Sequence, residues 1–295
     1  MASPQLATVI EMLRANPLGG ETVLEMRAKM EAASAAAPMP EATKLVDVDA
    51  QGAKAQWTDA DGARGDAAFV YLHGGGYVMG SLVTHRNLVA NLSRQAGIRA
   101  LSVDYRLAPE HPFPPPSKMP WNAVLYVQSQ GIAPDRIVVA GDSAGGGLTA
   151  ATLLALRDRG HAMPAAGVLI SPWLDLTQSG DTIRSLADAD PMVTLDLLTK
   201  SAAAYAAKTD PKAPLVSPLF ADLAGLPPLL IHVGTAEILL DDARRFAAAA
   251  KAAGVDATLE EWPDMIHVWH SFAGLLPESQ QAVDRIAAFV KEQIG

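Results

Sequence analysis

The chain has 295 residues, of which 49% are hydrophobic, and a formal net charge of −9 at pH 7. That charge, with the basic residues scattered rather than clustered, argues against nucleic acid or an anionic membrane surface as a partner. There is no cysteine, which excludes disulfides, thiolate nucleophiles and Cys-ligated zinc, and no apolar run approaches the ~20 residues that span a bilayer.

Ser3 to Arg14 read as an amphipathic segment without the basic start and compact apolar stretch of a signal peptide. A cytoplasmic location, without integral membrane association, is therefore expected. A helix is predicted over Glu21–Ala36, stopped by Pro38-Met39-Pro40. Strands Lys44–Val48 and Ala53–Thr58 follow, polar and joined by Asp49-Ala50-Gln51-Gly52, which reads as an antiparallel edge hairpin. From there strands alternate with helices: Ala67–Leu72, Thr84–Gln95, Ala100–Asp104, Trp121–Gln130, Arg136–Ala140, Ala144–Arg159 and Gly167–Ile170. The series resumes with Leu229–Val233, Ala243–Ala253, Thr258–Glu261 and Gln280–Gln293. Alternation of this kind is the pattern of a mostly parallel sheet covered on both faces.

The stretch from Gln178 to about Pro218 breaks the alternation, interrupted by Pro191, Pro211, Pro214 and Pro218. With residues 1–40 it is expected to form a small helical cap over the carboxyl edge of the sheet, the core being residues 41–177 and 219–295. Its Met192, Val193, Leu195, Leu198 and Tyr205 are candidates for lining a substrate pocket.

Two glycine motifs carry the chemistry. Gly141-Asp142-Ser143-Ala144-Gly145 lies between a β-branched strand and a helix, the context in which Gly-x-Ser-x-Gly makes a nucleophile elbow with the serine at its tip. Upstream, His73-Gly74-Gly75-Gly76-Tyr77 follows another buried strand. Unshielded backbone N–H groups there can converge on an oxyanion, each worth roughly 2.7–4 kcal/mol in a transition state. Gly74 and Gly75, with Ala144 after the serine, are the expected donors. Neither motif has the spacing of a phosphate loop or a dinucleotide fingerprint. Asp142 and His73 are expected to brace backbone, and the proline-rich run Pro109–Pro120 to stiffen a loop.

With Asp104-Tyr105-Arg106-Leu107-Ala108-Pro109-Glu110-His111-Pro112-Phe113-Pro114 and Ser171-Pro172-Trp173-Leu174-Asp175, these motifs give a close resemblance. From about Phe69 to its end the chain resembles the hormone-sensitive-lipase-like bacterial carboxylesterases, the HGGG and GDSAG type of α/β-hydrolase. The resemblance implies a central, mostly parallel eight-stranded sheet flanked by helices with a small cap, a small-molecule ester substrate of short to medium acyl chain, and neither metal nor organic cofactor. Dimerisation through a sheet edge is common among such proteins, though no residue pattern here compels it.

In this fold the partners of the serine follow it in the order acid, then histidine, so the base must lie well downstream of the elbow, which leaves His232, His267 and His270. His232 falls within an apolar strand and reads as a core residue. His267 stands on the loop beyond the last strand, where the family places its base. His270 would share a helical face with it, but a zinc hydrolase needs a third ligand and usually His-Glu-x-x-His. A structural capping role is therefore expected for His270. The family usually has Asp where this chain has Glu237, followed by Pro-Leu where it has Ile238-Leu239. Glu237 is preferred as the acid over Asp241, because Asp241 and Asp242 open a helix whose N-terminal dipole explains them. The expected activity is two-step acyl transfer through Ser143, with amide or lactone hydrolysis, or silent binding of acyl ligands on the same fold, as the competing readings.

Overall fold

The computed structural model describes residues 2–18, 22–35, 38–113 and 120–295. Helix α1 (Pro4–Ala15) and helix α2 (Val23–Ala35) precede the sheet; the expected helix ends Glu21 and Ala36 lie outside the described residues. Strands β1 (Lys44–Ala50) and β2 (Ala53–Asp59) form the expected antiparallel hairpin, with Gln51 and Gly52 both at positive φ (56° and 89°), as a two-residue primed turn requires. The remaining strands are β3 (Arg64–Leu72), β4 (Ile98–Asp104), β5 (Ile137–Asp142), β6 (Ala166–Ile170), β7 (Leu229–Gly234) and β8 (Ala257–Trp262). They assemble into an eight-stranded sheet of order β1-β2-β4-β3-β5-β6-β7-β8. β2 pairs antiparallel with β4, and every pairing from β4 through β3 to β8 is parallel.

Because successive side chains on a strand face opposite sides, β3 and β5 each feed two cores. Val70, Leu72 and Val139 pack on one face with Val124 and Val127 of α4 (Trp121–Ser129), Leu153 and Leu154 of α5 (Ala144–Asp158) and Phe246 of α8 (Leu240–Ala252). Phe69, Tyr71 and Val138 pack on the other, with Leu88 and Leu92 of α3 (Leu82–Ala96) and Ile286 and Val290 of α9 (Pro277–Ile294). The stretch between β6 and β7 holds two further helices, α6 (Thr182–Ser185) and α7 (Leu195–Ala206). A third, smaller cluster joins Leu6 and Val9 of α1 to Met265, Ile266, Trp269 and Leu276 near the end of the chain. Residues 114–119 of the proline-rich run lie outside the described residues. None of the described helices is long and apolar enough to cross a membrane.

Candidate active site

The last residue of β5 is Asp142 and the first of α5 is Ala144, so Ser143 alone makes the turn, at φ 53° and ψ −121°. That conformation is costly for a residue with a Cβ and persists only where the surroundings over-determine it. Here Ser143 N–H donates to Ile170 O at 2.8 Å, and Ser143 O accepts from Gly147 N and Trp173 N at 3.2 and 2.9 Å. The elbow also presses α5 against the end of β3: a Cβ on Gly145 would overlap the Leu72 carbonyl oxygen and lie 2.6 Å from His73 O.

Beside the elbow, the glycine loop after β3 is held from beneath. Asp142 Oδ1 accepts from Tyr71 OH at 2.7 Å and from Gly74 N–H at 3.0 Å, while Oδ2 lies 3.2 Å from His85 Nε2. Burial would raise the Asp142 carboxyl, but the charge and hydrogen bond of His85 and the Tyr71 hydroxyl outweigh it and hold it below the usual carboxylate range. His73 is stacked on Tyr105 with ring centroids 4.2 Å apart, and its Nδ1 lies 2.8 Å from Gly74 O. Burial and the neighbouring His85 lower its pKa to about 3, so the ring is neutral and Nδ1–H donates to that carbonyl.

Asp142 and His73 thus brace the glycine loop, as expected. The expected donor Gly74 is different: its single N–H is already taken by Asp142 Oδ1. Gly75 and Gly76 line the cavity instead, and among the described residues no acceptor takes their N–H groups. Gly75 has φ 111°, and a Cβ there would overlap Met79 O.

From the other side, β7 ends at Gly234 and the following turn brings Glu237 beneath the loop after β8. Glu237 is fully buried; its Oε1 accepts from Gly234 N–H at 3.1 Å and its Oε2 lies 2.7 Å from His267 Nδ1. Burial pushes the Glu237 carboxyl up, and the bond to His267 pulls it back. For His267 burial acts downward, but the hydrogen bond and charge of Glu237, with Asp190 and Asp142 behind, leave its pKa above the ordinary 6.5. Asp241 is engaged elsewhere, its Oδ2 accepting from Thr182 N–H at 3.0 Å.

Ser143, His267, Gly75 and Gly76 share one cavity of about 110 Å³. Of the candidate pocket residues, Met192, Val193 and Leu198 line it; Leu195 does not, being 37% exposed at the start of α7. Nor does Tyr205 belong to the lining: its ring stacks on Tyr77 at 3.9 Å. α7 carries Leu198, Ser201, Ala202 and Tyr205 on its buried face; Leu195 shares the side of Leu198 and Ala202 but is the first residue of the helix, beyond the reach of the packed turns. Wall residues not anticipated are Leu18 and Met30 from the N-terminal segment, Leu197, and Trp173 beside the elbow. A larger cleft, about 310 Å³ between Lys54 and Arg106, contains neither Ser143 nor His267.

Two further expectations, for His270 and Asp242, are overturned. His270 caps no helix: it is buried, its Nε2 3.1 Å from His232 Nδ1. Asp242 is not explained by a helix dipole, because it is fully buried and its Oδ2 accepts from Leu174 N–H and Asp175 N–H at 2.8 and 2.9 Å. Burial, with the charge of Asp175, pushes its pKa up to about 7. Among the described residues no group of His, Asp and Glu is arranged to hold a metal ion.

The model of the family described as alpha/beta hydrolase fold matches residues 69–271. A crystal structure of an esterase from the bacterial hormone-sensitive lipase family superposes with a TM-score of 0.96 at 47% identity, covering 100% of both chains. The chain belongs to this family. The chain is also 45% identical to the acetyl-hydrolase of Streptomyces hygroscopicus over 226 residues (77% of this chain, 76% of the relative). An esterase of Acinetobacter venetianus is 38% identical over 220 residues (74% and 73%). The protein is accordingly a carboxylic ester hydrolase of the α/β-hydrolase fold.

Proposed function

We propose that the protein hydrolyses short- to medium-chain acyl esters through a covalent acyl-enzyme on Ser143, with His267 as base, Glu237 as the orienting acid and no cofactor. The observation that carries this reading is the buried 2.7 Å contact between Glu237 Oε2 and His267 Nδ1, on a histidine that shares a cavity with the elbow serine. With Nδ1–H donated to Glu237, the imidazole presents a lone pair at Nε2. His267 takes the Ser143 proton as the hydroxyl oxygen bonds to the ester carbonyl carbon, and Glu237 stabilises the imidazolium. The carbonyl electron pair moves onto oxygen, where the N–H groups of Gly75, Gly76 and Ala144 receive it; Gly76 replaces Gly74, whose proton is committed to Asp142. Collapse expels the alcohol, protonated by His267, and water repeats the sequence to release the carboxylic acid.

The cap is proposed as the substrate wall, because residues 1–40 contribute Leu18 and Met30 to the cavity and residues 178–218 contribute Met192, Val193, Leu197 and Leu198. A cavity of only about 110 Å³, walled mostly by apolar side chains, supports a short acyl chain, as does the name of the Streptomyces acetyl-hydrolase. Turnover of p-nitrophenyl acetate and butyrate by the wild type, abolished in Ser143→Ala, is the expected result. Ester turnover surviving in Ser143→Ala would overturn it.

A further inference from the structure

Asp190 takes no part in the acyl-transfer steps above, yet it is nearly buried, with 7% of its surface exposed. Its Oδ1 accepts from Met192 N–H at 2.9 Å and Val193 N–H at 3.0 Å, so it fixes the backbone of two residues that line the cavity. Its Oδ2 accepts from Ile238 N–H at 3.0 Å, and Ile238 directly follows Glu237. One rigid carboxylate therefore bolts the pocket wall to the turn carrying the acid, across 48 residues of sequence. Hydrogen bonds to an ionised acceptor are roughly twice as strong as neutral ones, and a planar carboxylate leaves little freedom in the spacing of the two segments. A second tie runs parallel: Thr182 Oγ1 donates to Ile238 O at 2.9 Å.

The geometry points to Asp190 as a positioning and specificity-determining residue, which couples the fit of the acyl chain against Met192 and Val193 to the alignment of Glu237 with His267. A chain that fills the pocket presses on the wall, and the wall is in register with the acid. Binding energy from the remote acyl carbons is then realised as rate rather than as affinity alone. The charge of Asp190 also faces the Glu237 and His267 pair, together with that of Asp142; the imidazoles of His232 and His270 pack behind the histidine loop.

This inference rests on Glu237 being the acid, and the experiment separates the two. Steady-state kinetics of Asp190→Asn and Asp190→Glu with p-nitrophenyl acetate, butyrate and hexanoate, each over a pH series, is the test. In Asp190→Asn the amide can still accept from Met192 and Val193 but opposes Ile238 N–H with its own donor. We expect kcat for butyrate to fall tenfold or more (about one lost charge-assisted hydrogen bond), with a smaller loss for acetate, and the acid limb of kcat/KM to move to lower pH. Asp190→Glu retains the charge and should keep the limb in place while altering the chain-length profile. An equal loss on all three esters with the limb unmoved would overturn the proposal. If the variants do not fold, hydrogen exchange on the wild type decides: the amides of Met192, Val193 and Ile238 should open together and gain protection together when Ser143 is phosphonylated, and independent opening would refute the coupling. Failure of the triad reading shows separately, as unimpaired turnover in Glu237→Gln.

Discussion

Glu237→Gln removes the charge beneath His267 and leaves its shape nearly intact. In the wild type both partners are buried and 2.7 Å apart, and a hydrogen bond to a buried charged group contributes about 1.5–3 kcal/mol. At 1.36 kcal/mol per unit, the His267 pKa should fall by roughly one to two units. The base works only when neutral, so the sign is fixed: the wild-type pKa, raised above 6.5, puts the acid limb of kcat/KM above that value, and the variant's limb lies lower. The rate itself should fall about 10²–10⁴-fold, since the amide can hold Nδ1–H but no longer stabilises the imidazolium. Glu237→Asp keeps the charge on a side chain one methylene shorter and should lose rate without the full shift of the limb. The assay is kcat/KM for p-nitrophenyl acetate from about pH 5 to pH 9. A Glu237→Gln enzyme with its limb at the wild-type position and its rate within a few-fold, beside an inactive Asp241→Asn, would refute the reasoning.

Gly145→Ala drives a methyl into the Leu72 and His73 carbonyls, two backbone atoms that cannot step aside, so a cost of about 3 kcal/mol or more is expected, read as a drop in Tm of at least ~5 °C by differential scanning fluorimetry. Asp242, raised from 3.8 to about 7 in the folded protein, contributes stability that is fully present below about pH 4 and lost as the pH rises to about 7. Urea denaturation should therefore show Asp242→Asn gaining on the wild type across that window, by on the order of 4 kcal/mol, with no further gain above it. Arg27 of α2 donates to Val78 O at 2.7 Å, to Ala108 O at 2.9 Å and to both oxygens of Glu110, and it holds the Glu110 carboxyl down at about 2. Arg27→Met frees the outer side of the glycine loop, and kcat should fall roughly 3–10-fold (about 1 kcal/mol) with KM little changed, since Arg27 does not line the cavity.

The sheet was legible because its signals are local. β-branched runs and the polar first hairpin place all eight strands to within a few residues, and Ser143 stands out because only small residues fit an elbow. What was misread depends on residues distant in sequence. Three glycines in a row reveal a loop that can offer N–H groups, but the Gly74 proton is taken by Asp142, 68 residues further on. Leu195 and Leu197 are equally apolar, and only the seating of α7 decides which faces the cavity. Asp242 has the sequence context of an ordinary helix-opening carboxylate; its burial against Leu174 and Asp175 is a tertiary fact. The same holds for His270, whose nearest polar neighbour, His232, comes from β7. Leu18 and Met30 carried no mark at all, since an apolar residue in the connection after α1 or on α2 reads the same whether it covers core or substrate.

The packing of α1 bears on how the molecule is made. Leu6 and Val9 are buried against Met265, Ile266, Trp269 and Leu276, and Ser3 is hydrogen-bonded through its N–H and hydroxyl to Glu278. A chain emerging from the ribosome folds progressively from its N-terminal side, but the buried Leu6 and Val9 of this helix find their main partners only once the loop bearing His267 and the start of α9 have been synthesised. The first of the described helices thus completes its packing late, on the segment that delivers the base. Completion of the core and arming of the histidine loop become one late event, so a nascent chain that carries the serine elbow has no means of activating it.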